Sequence, residues 1–172
     1  QNAIRLQSES GKLAISTAID KFKPKKGQID FRLYVDGDFT GVSDIAYWMD
    51  ILRNRQWLRT YGYSKSWQSF LDYTGIVPNN YQLNLSSGSR YGDQIRDKLK
   101  QFDYVRGEFI AVSTGKKVKS TDHGNREHQK QLRETYGKKA FTCPGLCGSC
   151  TKLGHACGSA RFKNVDIIIA VH

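Results

Sequence analysis

The stretch IDFRLYVDGDFTGVSDIAYWMDILRNRQWLRTYGY, residues 29–63, changes periodicity twice and decides the fold. Its opening, IDFRLYV, is rich in β-branched and aromatic residues, the composition of a strand. Asp36-Gly37-Asp38-Phe39 ends that strand. Ser43 or Asp44 can then cap a helix in which Ile45, Trp48, Met49 and Leu52 fall at i, i+3, i+4 and i+7. Arg53 and Arg55 lie near its end, where cations suit the helix macrodipole. WLRTYGY, residues 57–63, is a second strand and runs into Ser64-Lys65-Ser66.

Outward from this unit the pattern repeats. SWQSFLDYT is a short helix stopped by Gly75 and Pro78. YQLNLSS (81–87) is a third strand, leaving through Gly88-Ser89-Arg90 into the helix YGDQIRDKLKQF, with Ile95, Leu99 and Phe102 on one face. YVRGEFIAVS (104–113) is a fourth strand. VDIIIAV (165–171) is almost wholly apolar and reads as a central strand covered on both faces. Strands alternating with helices at similar spacing imply βαβ units and a parallel sheet. The expected fold is α/β: an open parallel sheet or partial barrel of four to five strands with a cysteine-rich metal-binding insertion. The chain divides into a basic N-terminal segment (1–28), a β/α core (29–115), a polar insertion with the cysteines (116–160) and a final core stretch (161–172). Within 1–28, Ala14, Ile15, Ala18 and Ile19 make a short helix face that Pro24 and Gly27 close. Within the insertion, a helix is expected from about Asn125 to Tyr136, and the insertion is read as carrying the cysteines away from the sheet.

The chain has 172 residues, enough for one domain. Phe 8, Tyr 9 and Trp 3 supply a packed core and exclude a disordered chain. No apolar run approaches the roughly 18 residues of a membrane span. A chain that starts at Gln1 implies processing or a further upstream segment, and no signal-peptide pattern is present. The formal charge is +11. Such a balance suits phosphate backbones, so DNA or RNA is a candidate partner through Lys116, Lys117, Lys119, Lys138 and Lys139, with Lys21, Lys23, Lys25 and Lys26 as a second cluster.

All four cysteines lie between Cys143 and Cys157. A disulfide framework spreads its cysteines to tie distant segments together, whereas a tight group suits a metal and a reducing compartment, the cytoplasm of a cell. Cys143, Cys147, Cys150 and Cys157 offer the four thiolates of a tetrahedral zinc site. His155 can replace Cys157, because Cys147-x2-Cys150-x4-His155 is close to zinc-knuckle spacing. The Cys-x3-Cys-x2-Cys run also suits an iron–sulfur cluster. Zinc is the first choice because it needs no dedicated assembly. His123, His128 and His172 are scattered; His128 reads as a surface residue, and His172 ends the last strand within reach of the rim.

In parallel α/β sheets ligands bind at the carboxyl ends of the strands. Those ends are polar here. Asp38 and Lys65 are the candidate catalytic pair, and Asp36, Ser66, Ser87 and Arg90 are candidate ligand-binding residues.

FRLYVDGDF (31–39), AYWMDILRN (46–54), RTYGYSKSW (59–67) and VPNNYQLNLSSGSR (77–90) together resemble the gene product 88 proteins of phages and mobile elements. The matching elements are Gly37-Asp38-Phe39, Tyr47-Trp48, Tyr63-Ser64-Lys65-Ser66, Pro78-Asn79 and Ser86-Ser87, with Cys147 and Cys150 matching a late Cys-x2-Cys pair. Ser64 stands where that pattern has Thr, and no early cysteine-bearing segment precedes the first strand. The resemblance implies no reaction, because the family's activity is not established. Three functions are therefore expected to compete: a metal-binding phage or mobile-element protein with a ligand or catalytic rim, a basic nucleic-acid-binding accessory protein with structural zinc, and a structural or interaction protein such as a particle component or host inhibitor.

Overall fold

A computed structural model describes residues 6, 8–115, 119, 123–137, 139–145, 147, 150, 151 and 154–171 of the chain. Helix α1 (Glu9–Asp20) begins at Ser8, whose hydroxyl accepts the Gly11 amide N–H at 3.1 Å. The strand and helix repeat then follows as β1 (Ile29–Leu33), α2 (Val42–Arg53), β2 (Leu58–Ser64), α3 (Trp67–Asp72), β3 (Tyr81–Ser86), α4 (Asp93–Leu99) and β4 (Val105–Val112). Helix α5 (Arg126–Tyr136), β5 (Phe141–Thr142) and β6 (Ile167–Ala170) complete the described elements.

Six strands form one open, curled sheet in the order β1-β2-β3-β4-β6-β5, every neighbouring pair parallel. The count exceeds the expected four to five. The additional strand is β5, which at two residues is too short to show any periodicity. The apolar run at the C-terminal end is interior, as its composition predicts, with β6 lying between β4 and β5.

Parallel register sends alternate residues to opposite faces. Phe31, Thr60 and Tyr81 share one level, and Leu33, Gly62 and Leu83 the next. On this face the sheet buries Leu33, Leu58, Tyr81, Leu83 and Leu85 against Ile45, Met49 and Leu52 of α2, Phe70 of α3 and Leu99 of α4. Full burial of one such aliphatic side chain contributes about 1.5–3 kcal/mol. Gly62 lets the Tyr81 hydroxyl approach closely, since a β-carbon would stand 3.0 Å from it and the ring would have to shift.

The opposite face carries Asp30 and Arg32 on β1, Arg59, Tyr61 and Tyr63 on β2, and Gln82 and Asn84 on β3. It is covered by the chain that follows β5. Ala156 and Cys157 pack with Tyr61 and Ile167, and Cys143, Cys150, Tyr63, Phe109, Phe141 and Phe162 close around them. The cysteine segment therefore lies back across the sheet rather than leading away from it. The strand sequences explain why: their polar and aromatic alternate positions leave a face that only another layer can cover. Ile168 and Ala170 of β6 pack on the other side against Leu132 of α5, so β6 is covered on both faces.

Arg106 of β4 is fully buried. Its guanidinium donates to Asn84 Oδ1, to the Phe162 and Val165 carbonyls, and to the Glu108 carbonyl at 2.8 Å. It sits where the β3–β4 register shifts, beside Gly107 at φ 152°. Burial lowers its pKa from the usual arginine value, and the charge is met by oxygens of the sheet and of the covering layer.

Candidate metal centre

The strand-end rim is built from three successive loops. Asp38, just beyond β1, accepts from the Phe39 amide at 2.7 Å, the Ser64 hydroxyl at 2.6 Å and the Lys65 amide at 2.6 Å. Its carboxylate thus fastens the end of β1 to the end of β2. Ser66 donates to the Phe39 carbonyl at 2.7 Å and strengthens the same joint. The third loop is tied on by Ser89, whose hydroxyl donates to the Lys65 carbonyl at 2.8 Å. Lys65 Nζ lies over Gly88, 3.6 Å from where a β-carbon would stand. Asp38, Lys65 and Ser66 are therefore neighbours at the carboxyl edge, with the Ser87–Ser89 turn beside them. Ser87 accepts the Ala111 amide at 3.0 Å, joining this turn to β4. Arg90 is exposed and folds onto Tyr91, donating to its hydroxyl at 2.9 Å. Asp36 is exposed at the edge of the first loop.

The thiols occupy the layer over the non-helical face. Arg32 lies over the Tyr63 ring, 4.8 Å from its centroid, and donates to Cys147 Sγ at 3.5 Å. The Cys150 sulfur accepts the Ala156 amide at 3.3 Å, which folds the loop before Cys157 back on itself. Cys157 is anchored by its carbonyl, which accepts from Asn84 Nδ2 at 3.0 Å, and by the Tyr63 hydroxyl against its sulfur. Burial pushes the Cys157 thiol up to about 11; the Cys143 and Cys150 thiols act in the same direction, and Tyr63 and Arg106 oppose. Burial likewise raises Cys143, against the Gly145 amide that hydrogen-bonds its sulfur. Cys143, Cys150 and Cys157 share one apolar cluster, and all four cysteines are free thiols. Among the described residues no three His, Cys, Asp or Glu side chains already stand in metal-ligand geometry.

His155, the alternative ligand, points elsewhere. Its Nε2 lies 3.3 Å from Asp30 Oδ2, and its ring rests against Tyr61 at 5.2 Å between centroids. His123 is almost fully buried and packs on Gly145, the loop between Cys143 and Cys147, where a β-carbon would meet its ring at 2.8 Å. His123 is thus an interior residue. Lys119 and Lys139 are exposed, while Lys116, Lys117, Lys138 and His172 lie outside the described residues.

Sequence reading missed Arg32, Tyr61, Asn84 and Arg106, and placed Tyr63 on the strand-end rim rather than against Cys157. A signal was present. Asp30-x-Arg32, Arg59-x-Tyr61-x-Tyr63 and Gln82-x-Asn84 place polar or aromatic groups at every second strand position, the mark of a face that meets something other than helices.

A family model described as gene product 88 matches residues 6–166. Among curated proteins and among solved structures no match was found. The matched span contains the strand-end loops, the polar strand face and all four cysteines, and the chain belongs to the gene product 88 family, a phage-type family.

Proposed function

We propose that this is a metal-binding protein of a phage or mobile element, with Cys143, Cys147, Cys150 and Cys157 as the ligands and the strand-end rim as the site of an anionic ligand. The observation that carries this reading is the gathering of the thiols. Three cysteines share one cluster on the sheet, and the fourth is held over the same face by Arg32. Thiolates favour zinc or an iron–sulfur cluster. Zinc is preferred because four thiolates complete its tetrahedron. The four-cysteine set is preferred over one with His155 because Cys157 shares the cluster that holds Cys143 and Cys150. Four thiolates around a divalent ion leave a net negative charge, and Arg32 and Arg106 are the cations placed to offset it. At the rim Asp38 positions Lys65, whose ammonium over the Gly88 turn, with Arg90, Ser66 and Ser87, supplies donors for an anion.

Protein purified without oxygen is expected to carry one tightly held zinc and to be colourless. A brown, sulfide-containing protein identifies a cluster in the same thiolate set. Protein that retains no metal and takes up neither zinc nor iron on titration overturns the reading. Cys147→Ser is expected to release the metal and expose residues 143–158 to protease while the helix-covered core survives.

A further inference from the structure

The strands all begin at one pole of the molecule, and that pole carries a cavity of about 410 Å³, lined by no cysteine and remote from the rim; residues 158–161 of its wall continue the layer beyond Cys157. Its polar lining is the carboxamides of Gln28, Gln56, Asn79, Asn80 and Gln82, the Ser159 hydroxyl and the guanidinium groups of Arg59 and Arg161; no carboxylate lines it. The loop that leads into Gln28 holds Lys21, Lys23, Lys25 and Lys26, all exposed. Phe22, inside that run, is 72% exposed. Four acids near this pole are engaged already: Asp20 with Arg55, Asp50 with Arg53, Asp30 with Arg59 and Asp103 with Lys163. Asp20, whose first partner is Arg55, also offsets Lys23 in part, and the run keeps a net positive charge.

We propose that this pole binds single-stranded nucleic acid, with one unpaired base in the carboxamide-lined cavity and the phosphodiester chain along the lysine run. A carboxamide presents a donor and an acceptor side by side, which matches the edge of a base. A base enters such a cavity only when it is unpaired and unstacked. The lysines neutralise phosphates and release counterions, and an exposed aromatic ring among them is a stacking platform for the next base. A duplex satisfies the lysines but not the cavity or Phe22. An anionic membrane satisfies the lysines and Phe22 but makes no use of the cavity.

The test is fluorescence anisotropy with a labelled single strand of about 12 nucleotides and with its duplex, across a salt series. The single strand is expected to bind more tightly than the duplex. Replacing Lys21, Lys23, Lys25 and Lys26 by Gln is expected to reduce the slope of log affinity against log salt by up to about 3, at roughly 0.7 for each phosphate contact. Phe22→Ala and the pair Asn79→Ala with Arg161→Gln are each expected to weaken single-strand binding roughly tenfold with little change for duplex. All the replaced side chains are exposed, and thermal melting checks that the variants are folded. Absence of single-strand binding at about 50 mM salt overturns the proposal. Equal affinity for duplex overturns it, as do silent Asn79 and Arg161 variants. Binding to phosphatidylserine vesicles that the oligonucleotide does not displace assigns the pole to a membrane surface instead.

Discussion

Asp38 shows how one side chain joins two strands that are distant in sequence. It takes two backbone N–H groups and a hydroxyl from the ends of β1 and β2. Asp38→Ala leaves those N–H groups without their acceptor, and a loss of about 1–3 kcal/mol is expected in urea unfolding. Lys65→Ala, which removes a side chain lying over the Gly88 turn, is expected to leave stability within about 0.5 kcal/mol while weakening binding of inorganic phosphate at the rim. Equal destabilisation by the two variants sinks this division of roles. Arg106 is the stronger case. Its replacement by Met preserves much of the volume but removes the guanidinium from Asn84 Oδ1 and from the Val165 and Glu108 carbonyls, while the Phe162 carbonyl keeps the Val165 N–H. A loss above about 3 kcal/mol is expected, since each buried orphan acceptor costs about 1–3 kcal/mol before relaxation. A melting curve like that of the parent contradicts the structural role.

At the scale of elements, α5 and α2 are held in different ways. Helix α2 buries Ile45, Trp48, Met49, Ile51 and Leu52, so packing holds it. Leu52→Ala is expected to cost about 2–5 kcal/mol of global stability. Helix α5 buries only Leu132, and its start rests on Asn125, which accepts the Glu127 amide at 2.8 Å and the His128 amide at 3.3 Å. Asn125→Ala is expected to cost about 1 kcal/mol and to raise amide exchange within α5 alone. Uniform acceleration across the sheet instead is evidence that α5 belongs to the global cooperative unit. The reading of α5 from sequence was correct because a capping residue is local. The placement of the cysteine segment was not legible in the same way, because nothing in its glycine-rich spacing says which face of which sheet it meets.

At the scale of the whole molecule, burial holds a set of tyrosines against ionisation. Burial raises Tyr34 and Tyr104 to about 12, and raises Tyr61, Tyr63 and Tyr81 further. An acid whose pKa is higher folded than unfolded keeps its proton in the native state after the unfolded chain has lost it. The unfolded state then binds fewer protons, and stability falls as pH rises. The fall is expected to begin near pH 10, the ordinary tyrosine value, and to continue through about 12. Alkaline titration is expected to show tyrosinate absorbance appearing together with loss of helical circular dichroism. Full tyrosine ionisation with the fold intact excludes the shielded state.

By itself the sequence determined the parallel α/β class, the order of strands and helices, the rim loops and the family, because these follow from local periodicity, turn residues and matching motifs. Asp38 and Lys65 were legible as neighbours because residues just beyond successive parallel strands arrive at the same edge. Tertiary structure alone decided the rest. It added β5, whose two residues are stabilised only by pairing with β6. It turned His155 to Asp30 and packed His123 on Gly145. It laid the cysteine segment on Tyr61 and Tyr63 and buried Arg106 beneath it. Each of these outcomes depends on groups far apart in the chain finding partners across a sheet face, and a hydrogen bond or an apolar contact between such groups leaves no periodic trace in either segment.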